Sequence, residues 1–181
     1  MQTGGVVQQI SKKPNVWFTV LEPPFDFTSP FNGEEYVLLV IVCDPRFTNQ
    51  QRNHLAEQFV ASGCRNAFCA GYACSRFDDA IDWAYMDTDP TGNYDPPDET
   101  FVMTSWYEDD PLKDVVETMF LIGDFDDLHF ENFVVVMVGN QSCSNLEVLN
   151  ALQNQVGDQN VEIRNWIYQT KLQVIRETEK S

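Results

Sequence analysis

Basic residues are scarce in this chain. Its 181 residues hold 11 lysines and arginines against 28 acids, and only two histidines, His54 and His129. Direct binding to nucleic acid is disfavoured on that ground, because phosphate contacts draw on clustered Lys and Arg. The segments at the strand ends contain no histidine, so a Ser/His or Cys/His nucleophile pair cannot be assembled there unless His54 or His129 folds back. Long apolar runs are also missing. The longest, Tyr36–Cys43 and Phe133–Val138, fall far short of the roughly 20 residues that span a bilayer. Met1–Ile10 has no basic patch leading into an apolar stretch, so no secretory signal is read there. The expectation is a soluble, cytoplasmic protein with no membrane partner.

Two further absences narrow the chemistry. Neither G-x-G-x-x-G nor G-x-x-x-x-G-K-[ST] occurs, so a nucleotide has no phosphate loop to bind. The five cysteines, at 43, 64, 69, 74 and 143, are odd in number. The evenly spaced Cys64, Cys69 and Cys74 do not follow the paired C-x-x-C spacing of zinc sites. Small buried thiols are expected, with no disulfide framework and no cofactor.

What the chain does have is acid, and in one place. Between Asp78 and Glu131 there are 17 acids and one base, Lys113, a net of −16 out of −17 for the whole chain. A field of this sign attracts basic proteins or cations and speeds their encounter. Apolar residues at 43% and charged residues at 22% fit a globular chain and not a disordered one.

The pattern along the chain reads as α/β. Residues 1–14 are polar and read as a loose arm, and 15–181 as one domain. Val16–Leu21 is a short strand of undetermined direction. Glu35–Cys43 is an almost continuous apolar run of the kind buried on both faces of a parallel sheet. Thr48 with Gln51 forms a capping box for a helix to about Ser62, which Gly63 stops. Asn66–Ala70 is the next strand, followed by a helix opened by Ser75 with Asp78. A turn-rich loop runs from Asp87 to Glu99. Phe101–Trp106 returns to strand, and Asp110-Pro111 starts a helix with Leu112, Val115, Val116, Met119 and Phe120 on one stripe. Phe133–Val138 is the last strand. A helix follows from Ser144 or Asn145, Gly157 interrupts it, and a final helix runs from about Asn160 to Glu177. The order predicts a three-layer, doubly wound domain around a mostly parallel sheet of about five strands, with a C-terminal helix.

In such sheets functional groups collect beyond the carboxyl ends of the strands. There the sequence offers three candidates for chemistry. Asp44 ends the central strand and is placed for a general base or a metal ligand. Cys74 precedes a predicted helix, whose N-terminus lowers a thiol's pKa. Ser105 closes the strand before Trp106. The loop Asp87–Asp98 places oxygen side chains at Asp87, Asp89, Thr91, Asp95 and Asp98 with Gly92 at its sixth position, the order of an EF-hand calcium loop. Asp at the last position in place of Glu, and three prolines, depart from that pattern, and no metal is favoured.

Ala61-Ser62-Gly63-Cys64-Arg65, then Cys69, Gly71 and Asp78-Asp79-Ala80-Ile81-Asp82, together with Phe101–Trp106, resemble small uncharacterised bacterial domains of unknown function. The resemblance covers about half the chain. It implies a bacterial origin and carries no activity.

The expected function is a non-enzymatic acidic interaction protein, of the inhibitor, immunity or defence-assembly type, that binds a basic protein partner. Asp109, Asp110, Asp124, Asp126 and Asp127 supply charge, and Trp106 and Tyr107 supply anchors. The alternative is a small-ligand or nucleotide-binding protein or enzyme with its site at the strand ends. The C-terminal helix offers a possible homodimer contact.

Overall fold

Tyr36–Val42 is apolar at every position, and only a strand covered on both faces can bury such a run. In a computed structural model of the chain, this strand is the centre of a six-stranded sheet. The structure describes residues 8–12, 14–124, 127–139, 142–157 and 161–178. The strands are β1 (Gln8–Lys12), β2 (Asn15–Leu21), β3 (Tyr36–Val42), β4 (Cys64–Gly71), β5 (Met103–Tyr107) and β6 (Asn132–Val138). Their order across the sheet is β1-β2-β6-β3-β4-β5. All neighbours run parallel except β1 and β2, which form an antiparallel pair.

Among the described residues five α-helices cover the sheet: α1 (Asn49–Ala61), α2 (Cys74–Met86), α3 (Leu112–Ile122), α4 (Ser142–Val156) and α5 (Val161–Thr178). The period-two alternation of β3 divides the core into two layers. Leu38 and Val40 meet Leu55 and Phe59 of α1 and Phe77 and Ile81 of α2. Leu39 and Ile41 face Val115 and Met119 of α3 and Leu149 and Leu152 of α4. The architecture is the expected three-layer α/β sandwich. Each of these fully buried side chains contributes roughly 1.5–3 kcal/mol by leaving water.

Several local expectations are corrected. Residues 8–12, read as part of a loose arm, form the outer strand β1 on β2. β2, whose direction the sequence leaves undetermined, lies inside the sheet parallel to β6, with Val16 and Phe18 buried in one core layer and Leu21 in the other. α2 starts at Cys74 behind Ala73, which sits at φ 51, so Ser75 does not cap it. Asp78 is 5% exposed and lies against β5, so it is not the reciprocal partner that a capping box would need. By contrast, the Thr48–Gln51 capping box of α1 is formed from both sides.

Candidate functional site

The chain leaves β3 toward α1 on one face of the sheet and leaves the adjacent β6 toward α4 on the other. Their carboxyl ends therefore open a crevice at the switch point, the usual place for a ligand in such sheets. It has a volume of about 440 Å³ and is lined by Glu22, Pro23, Cys43, Asp44, Arg46 and Gly139. Gly139, at φ +86, is required here, because a Cβ on it would come within 2.7 Å of the Asp44 Cβ.

Asp44 does not present a free carboxylate to this crevice. Its Oδ1 accepts the Arg46 backbone N–H and Nε, each at 2.9 Å, and its Oδ2 accepts an Arg46 terminal N–H at 2.9 Å. These hydrogen bonds hold its carboxyl below the usual carboxylate range, which suits a turn anchor better than a general base. Cys74 lies in the first turn of α2 with no exposed surface. Burial pushes its thiol up, against the lowering expected from a helix N-terminus. Cys43, Cys64 and Cys69 are also buried thiols, and burial raises Cys43 to about 11. Ser105 lies in the middle of β5 opposite Phe68, not at a strand tip. The crevice that Asp44 lines contains neither Cys74 nor Ser105, so the three candidates do not form one site.

The calcium-like order of oxygens in 87–98 serves the loop itself. Asp89 is buried and accepts the backbone N–H groups of Thr91 (2.8 Å), Asn93 (2.9 Å) and Asp95 (3.1 Å), together with the Thr91 hydroxyl. Those bonds lower its carboxyl to about 2. Asp87, Thr91, Asp95 and Asp98 are exposed around it. Among the described residues, no group of three or more His, Cys, Asp or Glu is arranged to hold a metal.

The acidic window builds α2, the turn Asp98–Thr100, β5 and α3. Asp109, Asp110, Asp124 and Asp127 are exposed, and Asp126 lies outside the described residues. Asp124 accepts the Phe130 N–H at 2.9 Å and pairs with His129 at 2.8 Å, and these bonds lower its carboxyl. Trp106 is 55% exposed, as an anchor must be. Tyr107 is half-buried, its ring stacked on Phe68 at 6.0 Å.

Sequence reasoning missed the groove that lies between α2 and β5. It measures about 530 Å³ and is lined by Asp79, Asp82, Trp83, Phe101, Met103 and Thr104 among others. Thr104 Oγ1 donates to Asp82 Oδ1 at 2.9 Å and ties the strand to the helix. Buried Arg65 donates to the Phe101 carbonyl at 2.8 Å and pairs with Glu35, fixing the approach to β5. Trp83 meets Tyr94 edge to face at 6.3 Å. The one signal in the sequence was the mixture of aromatic, Met and Asp residues at 79–86 and 101–106, and only the fold sets these two segments side by side.

No helix among the described residues is long and apolar enough to cross a membrane. α5 packs on α4 through buried Ile163 and Ile167, while Tyr168 and Ile175 are exposed. A search of curated proteins finds no match. A model of the family described as "Domain of unknown function (DUF7684)" matches residues 16–155, which run from β2 to the last turn of α4, and the chain belongs to that family.

Proposed function

We propose that this is a non-enzymatic interaction protein that binds a basic protein partner through the acidic surface of residues 78–131. The observation that carries this reading is the concentration of 17 acids and one base in that segment, with all of its described acids except Asp78 and Asp89 exposed. Crowding like charges costs self-repulsion, which a positive partner offsets. Exposed Trp83, Tyr94 and Trp106 beside the acids supply apolar contact area. The Asp44, Cys74 and Ser105 candidates, each engaged, buried or apart, give a reaction less support. An inhibitor, immunity or defence-assembly role is the class of function that such a surface suits.

The test is affinity capture from the source cell at low and high salt, with wild type beside a variant carrying Asp109→Asn, Asp110→Asn, Asp124→Asn and Asp127→Asn. A partner held by charge is retained by wild type at low salt, released at high salt, and lost from the variant. Retention by the variant at both salt concentrations contradicts the proposal.

One observation favours a second reading, a small ligand at the strand ends. The crevice of about 440 Å³ lies at the switch point between β3 and β6. A ligand bound there would raise the melting temperature of wild type, and Glu22→Ala with Arg46→Ala, which change the crevice lining without adding a Cβ at Gly139, would reduce the rise.

A further inference from the structure

The two edges of the sheet differ in how they are guarded. β1 shifts register between Gln9 and Ser11 and carries Lys12, both of which discourage another strand from adding. β5, at the opposite edge, reads Met-Thr-Ser-Trp-Tyr: it has no charge and no proline, and its register on β4 is unbroken. Met103 and Trp106 are 37% and 55% exposed along it. Beside this strand lies the α2–β5 groove, whose apolar lining includes Trp83 and Phe101 and whose charged residues, Asp79 and Asp82, are both negative. The strand then runs directly into Glu108, Asp109 and Asp110.

Building on the acidic-surface reading, we infer that β5 accepts an extended basic segment of the partner as an added strand, with one Lys or Arg side chain seated in the groove between α2 and β5. Main-chain hydrogen bonds to the open edge supply affinity, and the alternation of side chains in the incoming strand supplies selectivity. The cationic head meets Asp79 and Asp82 and the face of Trp83, while its aliphatic stem covers Met103 and Phe101. Charge selects this occupant over a second copy of the chain. A second β5 would bring its own Glu108, Asp109 and Asp110 and a further net charge of −17 to the same edge.

The test uses the full chain and three capped synthetic peptides: alternating arginine and valine, alternating glutamate and valine, and the arginine–valine peptide N-methylated at every second residue. N-methylation leaves the charge intact and removes the amides that pair with a sheet edge. The expected result is saturable binding of the arginine–valine peptide with slowed hydrogen exchange at 103–107. The glutamate peptide should not bind, and the N-methylated peptide should bind at least about tenfold more weakly. Asp79→Asn with Asp82→Asn, which keeps the acceptor for Thr104, should weaken binding roughly threefold to tenfold. Equal affinity for the N-methylated peptide, or unchanged exchange at 103–107, overturns strand addition. If the peptides still bind in a salt-dependent way and lose that binding in the Asp109/Asp110/Asp124/Asp127 variant, the acidic-surface reading survives without it. If neither cationic peptide binds at low salt, both fall.

Discussion

Thr104 Oγ1 donates its only proton to Asp82 Oδ1 at 2.9 Å, and the neighbouring carboxylate of Asp78 keeps Oδ1 buried without a partner. Burial, together with the charges of Asp82 and Asp79, pushes Asp78 up to about 6, although its contact with Thr104 acts the other way. The folded chain therefore holds a proton that the unfolded chain has already released once pH passes about 4. That stabilising contribution is complete below about pH 4 and is lost as pH rises through about 6. Asp78→Asn removes the charge and should stabilise the protein by about 1 kcal/mol at pH 8, after allowance for screening near the exposed Asp82. Below pH 4 it should have no effect. Denaturant unfolding of both proteins at the two pH values checks this, and an equal difference at both would remove Asp78 as the cause.

Gly71 ends β4 at φ +81, and a Cβ there would lie 2.4 Å from the Val42 carbonyl oxygen. Gly71→Ala should cost about 2–4 kcal/mol, from left-handed backbone strain and displacement of the adjacent strand. Gly33→Ala is the control. Gly33 has a similar φ of +88 but open space around it, so only the backbone cost, about 1 kcal/mol, should appear. Equal losses in the two variants would contradict the steric argument.

The buried thiols should be inert in the folded protein. Cys43, Cys64, Cys69 and Cys74 are all buried and all raised by that burial. A thiol reagent at neutral pH should label them only as fast as the chain opens, with a burst on adding denaturant. Rapid labelling of native Cys74, located by mass spectrometry, would restore it as a reactive group.

Asp89 organises the loop that follows α2 by accepting three backbone N–H groups. Its carboxyl is lowered to about 2, so its support is complete at ordinary pH and is lost only as pH falls through about 2. Asp89→Ala should speed hydrogen exchange at Thr91, Asn93 and Asp95 while leaving exchange in β3 and β6 unchanged. Unchanged exchange at those three amides would show that the loop holds itself by other means.

The central strands and most helices were legible because their patterns are locally complete. The apolar run of β3 has only one way to be buried, and Thr48 with Gln51 marks a helix start through groups that bond each other. Strand order was not legible, since nothing in the Phe133–Val138 run says that it inserts between β2 and β3. β1 escaped notice because Gln8–Lys12 is polar and its pairing depends on a neighbour. The α2–β5 groove escaped notice for a related reason. Phe101 and Met103 look like core residues, and only the position of β5 at the sheet edge leaves them exposed.

The most direct measurement of the central claim is the association rate of the captured partner as ionic strength is raised, for wild type and for the Asp109/Asp110/Asp124/Asp127 variant. Steering by the acidic surface predicts a fast wild-type rate that falls steeply with salt, and a slower variant rate with a shallower slope, the two converging at high salt. Equal rates and equal slopes for the two proteins would contradict it.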